Sequence, residues 1–207
     1  MKRLCVRLSM FLALLASCAW HGDAMADTVI HKKVTYFSIG GNTAADIDRE
    51  MMRNGPLSSI TGRRHPGATQ IRFTGSATYV GKKGRCHIGD AKVVLSTKIM
   101  LPRWANRKKA SKQLALIWDT LSADIKRHEE RHAEIARNHA RELEKSILSL
   151  PPQKNCTVLK DKVARISQQA MDAHDRDQRR FDRVESINFE KRMIRLLKNR
   201  LASRAGQ

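Results

Sequence analysis

His128, Glu129 and His132 form an H-E-x-x-H element inside the stretch IKRHEERHAEIARNH, residues 125–139. On a helix, residues four apart lie one above the other on the same face. Both imidazoles can then reach one tetrahedral cation, with Zn–N distances of about 2.0–2.1 Å. Glu129 follows His128 and is rotated about 100° around the axis. From there it cannot chelate beside both rings, but it can lean over a metal-bound water, as in a zinc hydrolase. In that chemistry Zn2+ polarises the scissile carbonyl and acidifies the water, and Glu129 acts as the catalytic base that passes a proton to the leaving amine. The competing reading is a pair of histidines hydrogen-bonded to each other's surroundings inside a helix hairpin.

A catalytic zinc needs a third protein ligand. His139 lies seven residues beyond His132, about 10 Å along the axis, too far to join the same ion on an unbroken helix. A metzincin-type glycine would break the helix there, but Ile135 occupies its position. His139 is therefore read as a core or rim histidine. If the chain reverses near residues 152–153, residue 173 comes level with His132. His174 is the first candidate on that arithmetic, and Asp177 falls level with His128. Glu185 qualifies if the return helix kinks. The order of preference is His174, Glu185, Asp177.

These side chains need a framework. From Ser111 to Leu150 there is neither Gly nor Pro, and apolar residues or histidines recur at 114, 118, 121, 125, 128, 132, 135 and 139. That alternation of four and three is a helical stripe. Pro151-Pro152 end it, and a second helical run starts near Cys156, which implies an antiparallel hairpin. Upstream, Val29 to Ile39 reads as a strand and Asn42 or Thr43 caps a short helix through Arg53. TQIRFTGSATYV and CHIGDAKVVLSTKIMLP read as two more strands, separated at Gly81–Gly84. The expected fold is α+β and zincin-like: a small antiparallel sheet with a short helix, packed on a long helix hairpin. Residues 27–105 form the sheet-containing region. Residues 106–207 form the hairpin with its basic C-terminal helix, one domain with the sheet.

Residues 1–26 read as a secretory signal peptide: Lys2, Arg3 and Arg7, an apolar run from Leu8 to Ala19, and Ala24-Met25-Ala26 before the cleavage point. Leu15-Ala16-Ser17-Cys18 competes as a lipobox that would leave a lipidated Cys18. Either way the chain is expected to be exported, periplasmic or secreted. Cleavage at 26 leaves Cys86 and Cys156, read as a disulfide; free thiols or zinc ligands are the alternative. Export also lowers the formal net charge from +20 to +18. Such a surface attracts anionic envelope polymers or a membrane surface. Aromatic residues make up only 5% of the chain, which leaves little for base stacking, so nucleic acid is not expected as a partner.

Several stretches together resemble a family of bacterial exported proteins of unknown function described as predicted secreted zinc-dependent proteases. They are NGP at 54–56 followed by GATQIRF, then CHIGDAKVVLSTKIMLPRW, Trp118 ten residues ahead of HEERH, and Cys156 after the double proline. The resemblance implies a small sheet on the motif-bearing helix and a His128/Glu129/His132 site. Relatives carry an aromatic-Asp pair followed by T-x-H-G. Here Phe181-Asp182 is followed by Glu185-Ser186-Ile187-Asn188, with Ile187 in the histidine's place, which leaves Glu185 or His174 to act instead. The expected function is a zinc metallopeptidase acting on a protein or peptide. The alternative is a non-catalytic module whose basic helix, FEKRMIRLLKNRLASR, binds anionic envelope components or a membrane.

Overall fold

The structure, a computed structural model, describes residues 28–58 and 62–205. The expected leader, with Cys5 and Cys18, lies outside the described residues.

Strand β1 spans Val29–Ile39, helix α1 Ala44–Asn54, β2 Ala68–Lys82 and β3 Arg85–Trp104. Helix α2 spans Lys112–Leu148 and α3 Cys156–Ala205. Thr43 starts α1 through a capping box: its hydroxyl accepts from Asp46 N, while the Asp46 carboxylate accepts from Thr43 N. The β2–β3 connection is tighter than the four-residue gap expected. The strands run on to Lys82 and from Arg85, and Lys83 and Gly84 turn the chain with φ of 51° and 71°. A two-residue turn with both central residues at positive φ matches the right-handed twist of a hairpin.

The sheet is mixed, not antiparallel as expected. Its order is β1-β3-β2, with β1 parallel and β2 antiparallel to β3. The physical reason lies in which strand is central. β3 buries Ala91, Val93, Leu95, Thr97, Ile99 and Leu101 at every second position, whereas β2 alternates half-buried and exposed residues. The hairpin makes β3 antiparallel to β2. Once β3 takes the middle, β1 finds its parallel side.

One sheet face packs on α2. The upper core gathers Ile39, Ile47, Met51, Ile99, Leu101, Trp104, Trp118 and Ile125. The lower one packs Val93 and Leu95 against Ala136, Ala140, Leu143 and Ile147. The alanines let helix and strand approach closely. α2 and α3 form the expected hairpin, but in a shifted register. Residues 149–155 do not close a turn. They cross to the tip of the β2–β3 hairpin, where Gln153 and Cys86 exchange backbone hydrogen bonds of 2.9 and 2.8 Å. The next helical residue, Cys156, is disulfide-bonded to Cys86. Closing a loop of 70 residues contributes roughly 4 kcal/mol in the chain-entropy account. With α3 started there, Gln178, not residue 173, comes level with His132.

The two helices are further clamped by a buried ion cluster. Asp124, 4% exposed, accepts from Arg192 Nε and Nη2 at 3.0–3.2 Å and from Arg127 Nε at 3.0 Å. Glu185 bridges both guanidiniums.

Candidate metal centre

An ideal helix drifts by about 20° per heptad relative to a 3.5-residue repeat, and over 37 residues α2 divides its stripe accordingly. Ile125, Ala133, Ala136 and Ala140 face the sheet core. His128, His132 and His139 turn toward α3. Glu129 goes with the first set and the histidines with the second, the division of labour the motif requires.

The two imidazoles converge. His128 Nε2 and His132 Nε2 are 3.0 Å apart. Asp182 Oδ1, from α3, lies 2.9 Å from His132 Nε2 and 3.4 Å from His128 Nε2. These are the three residues among those described whose ligand atoms cluster tightly enough to hold an ion. Three donors about 2.0–2.1 Å from a tetrahedral zinc would stand roughly 3.3 Å apart, so the observed triangle fits that ion. Desolvation raises the Asp182 pKa, but hydrogen bonds from His128 and His132 outweigh it and hold the carboxyl well below the usual carboxylate range. Phe181 stacks on His128, with centroids 4.9 Å apart and planes at 26°, and meets His132 edge-on.

The outer ring nitrogens are also engaged. Gln178 Oε1 accepts from His132 Nδ1. The amide nitrogen of Gln178 donates to His132 O at 3.1 Å and to His174 Nε2 at 2.9 Å. His174 Nδ1 in turn donates to Asp175 Oδ1 at 3.0 Å. Gln178 Oε1 thus receives the proton on His132 Nδ1, and Nε2 is the ring atom that faces His128 and Asp182. Burial pushes the His174 pKa down, in keeping with a neutral ring. Behind His128, Glu185 Oε2 is 3.6 Å from Nδ1.

Glu129 is 6% exposed. Thr69 Oγ1, on β2, donates to its Oε2 at 2.8 Å. A Cβ at Gly67 would lie 2.9 Å from Oε1, so the absence of a side chain at 67 keeps space beside that oxygen. Desolvation raises the Glu129 pKa, partly offset by the Thr69 hydrogen bond and by His132 and His128.

Of the candidates for third donor, none is in the triangle. His174 lies beyond Gln178. Asp177 accepts from His139 Nε2 at 3.0 Å. Glu185 is held by Arg127 and Arg192. His139 lies at the rim of the hairpin and also meets the His174 ring edge-on. Asp182 is the residue the spacing arithmetic missed. Its signal was present in the Phe181-Asp182 pair, flanked at i−4 and i+3 by Gln178 and Glu185.

The family model described as a bacterial protein of unknown function, DUF922, matches residues 34–189. The chain belongs to that family. The DUF922 match runs from β1 into α3 and contains the histidines, Glu129, Thr69, Gln178, Asp182 and Glu185. No curated protein and no solved structure matches the chain.

Proposed function

We propose that this DUF922 protein is an exported zinc-dependent peptidase whose ion is held by His128, His132 and Asp182, with Glu129 as the base. The observation that carries the reading is the three-donor triangle beside a buried carboxylate with one oxygen tied down and the other kept clear. Zinc bound there supplies Lewis acidity, polarising a peptide carbonyl and acidifying a water. Thr69 holds Glu129 Oε2, while Oε1 lies beside Gly67 with no hydrogen bond among the described residues. Glu129 takes a proton from water as the C–O bond forms and delivers it to the amine as the C–N bond breaks. In the metal-free protein burial raises its pKa, the direction that strengthens a base. Asp182, half-exposed on α3, marks the side open to a protein or peptide substrate.

Purified protein lacking residues 1–26 is expected to carry one zinc per chain and to cleave an unfolded protein in a chelator-sensitive manner. Metal analysis showing no zinc, or iron at this two-histidine, one-carboxylate set, would sink the proposal.

Gln178 provides a second test. Gln178→Met keeps the length of the side chain but removes the acceptor for His132 Nδ1–H, and is expected to weaken zinc binding about 10–100-fold in chelator competition. Gln178→Glu, which can accept the same proton, is expected to retain the affinity. Equal weakening by both would point to packing alone.

One observation favours the alternative, a basic helical module. α3 exposes Ile187, Ile194 and Leu201 at seven-residue spacing, at 74%, 47% and 55%, between lysines. The metal measurement separates the two readings.

A further inference from the structure

Among the described residues, the sheet face opposite α2 carries no second layer, and its chemistry is one-sided. β1, β2 and β3 together contain eight Lys or Arg and a single carboxylate, Asp90. Two cross-strand rows stand at the centre of the open face. In one, Lys98 on β3 is directly opposite Lys33 on β1 and Gln70 on β2; in the next, Ser96 is opposite His31 and Arg72. Together these six side chains line a shallow depression of about 760 Å³. Lys32, the neighbour of Lys33, points to the other face and pairs with Glu130 on α2. Lys33, Lys98 and Arg72 form no ion pair among the described residues. Asp90 is six residues along β3 from Ser96, roughly 20 Å away.

Like charges directly opposite each other on neighbouring strands destabilise a sheet. Placing Lys33 against Lys98 with no counter-ion breaks that rule, and positions where local rules fail are where function is expected. An anion lying over the rows would remove the repulsion. The two rows contain no Phe, Tyr or Trp ring on which a nucleobase could stack and no large apolar side chain to enter a lipid surface. Each row instead offers three donors from three strands, about 4.8 Å apart, and the rows repeat at roughly 6.6 Å. Three donors in a row can share one phosphate, whose oxygens accept without requiring the donors to lie in a single plane as a carboxylate's do.

We propose that this open sheet face binds a linear, hydrophilic phosphodiester polymer, with one phosphate over each cross-strand row. The inference is independent of the metal centre. In the peptidase it would hold the enzyme on an anionic polymer while the opposite side works on protein.

The test is binding of fluorescent poly(glycerol phosphate) to the protein at several salt concentrations. Lys33→Gln/Lys98→Gln is expected to weaken binding about tenfold and to flatten the log–log salt dependence by about 0.7, for the one phosphate held over their shared row. Its thermal midpoint without polymer is expected to be unchanged or raised, because a repulsion is removed. Lys191→Gln/Lys198→Gln, which removes the same charge from exposed positions on α3, is expected to change binding less than twofold. Equal losses in the two variants would mean that net charge alone binds the polymer, and would overturn the proposal. So would binding indifferent to Lys33 and Lys98, or a preference for polygalacturonate, single-stranded DNA or anionic lipid vesicles over poly(glycerol phosphate).

Discussion

Glu129→Gln is expected to leave one zinc per chain in place and to lower kcat/KM for an unfolded-protein substrate by roughly 10²–10⁴-fold, the range that loss of a positioned acid–base group produces. The substitution is nearly isosteric. The amide oxygen still accepts from Thr69 Oγ1, and the space beside Gly67 is kept. None of the three converging donor atoms is altered, so metal affinity gives a control on the same protein. A second readout needs no metal and no substrate. Burial raises the Glu129 pKa above that of the unfolded chain, so the native state holds this proton more tightly than the unfolded state. Such a carboxyl costs nothing below its unfolded pKa and destabilises increasingly as pH rises through its folded pKa. Metal-free Glu129→Gln should therefore equal the parent in stability at acidic pH and exceed it at neutral pH. A variant that cleaves as fast as the parent removes Glu129 from the chemistry. A stability difference independent of pH removes the buried carboxylate argument.

The elements of this fold were legible because each is dictated locally. Runs of strand-forming residues bounded by Gly40-Gly41 and Gly81–Gly84 marked β1, β2 and β3, a cap at Asn42 or Thr43 announced α1, and the uninterrupted run from Ser111 to Leu150 read as a long helix. The two histidines and Glu129 followed from helical periodicity alone. Strand order was not local. Pairing β1 with β3 depends on β3 burying its alternate positions more completely than β2 does, a comparison between distant segments. The third donor failed for a related reason. Hairpin arithmetic assumes that the connection reverses the chain at its midpoint, but residues 149–155 are drawn to Cys86, where a backbone bridge and the disulfide decide where α3 begins. His174 ranked first on its level with His132, and Glu185 second on the assumption of a kinked return helix. They serve as partners at one remove, His174 through Gln178 to His132, and Glu185 behind His128. A five-residue shift along α3 separates a ligand from its support.

That shift makes Asp182 the sharpest test of the site. Asp182→Ala is expected to weaken zinc binding by more than about 100-fold, beyond the upper end of what loss of an outer partner costs. His174→Ala, Asp177→Ala and Glu185→Ala should each stay at or below that limit. The donor count gives the reason. Without Asp182 two imidazoles remain, fewer than the three protein ligands of a catalytic zinc site, and no neighbour is placed to substitute. Glu185 is tied to Arg127 and Arg192, Asp177 is engaged by His139, and His174 lies behind Gln178. Folding should be little affected, since the Asp182 side chain is 56% exposed and its partners in the metal-free protein are the two histidines themselves. Zinc affinity by chelator competition, with the visible spectrum of the cobalt-substituted protein reporting coordination number, distinguishes the outcomes. If Asp182→Ala keeps parental affinity while Glu185→Ala loses the ion, α3 must slide by about one helical turn relative to α2 when metal binds, and by about two turns if His174→Ala loses it instead. The register set by the Cys86–Cys156 link would then be a property of the metal-free protein only.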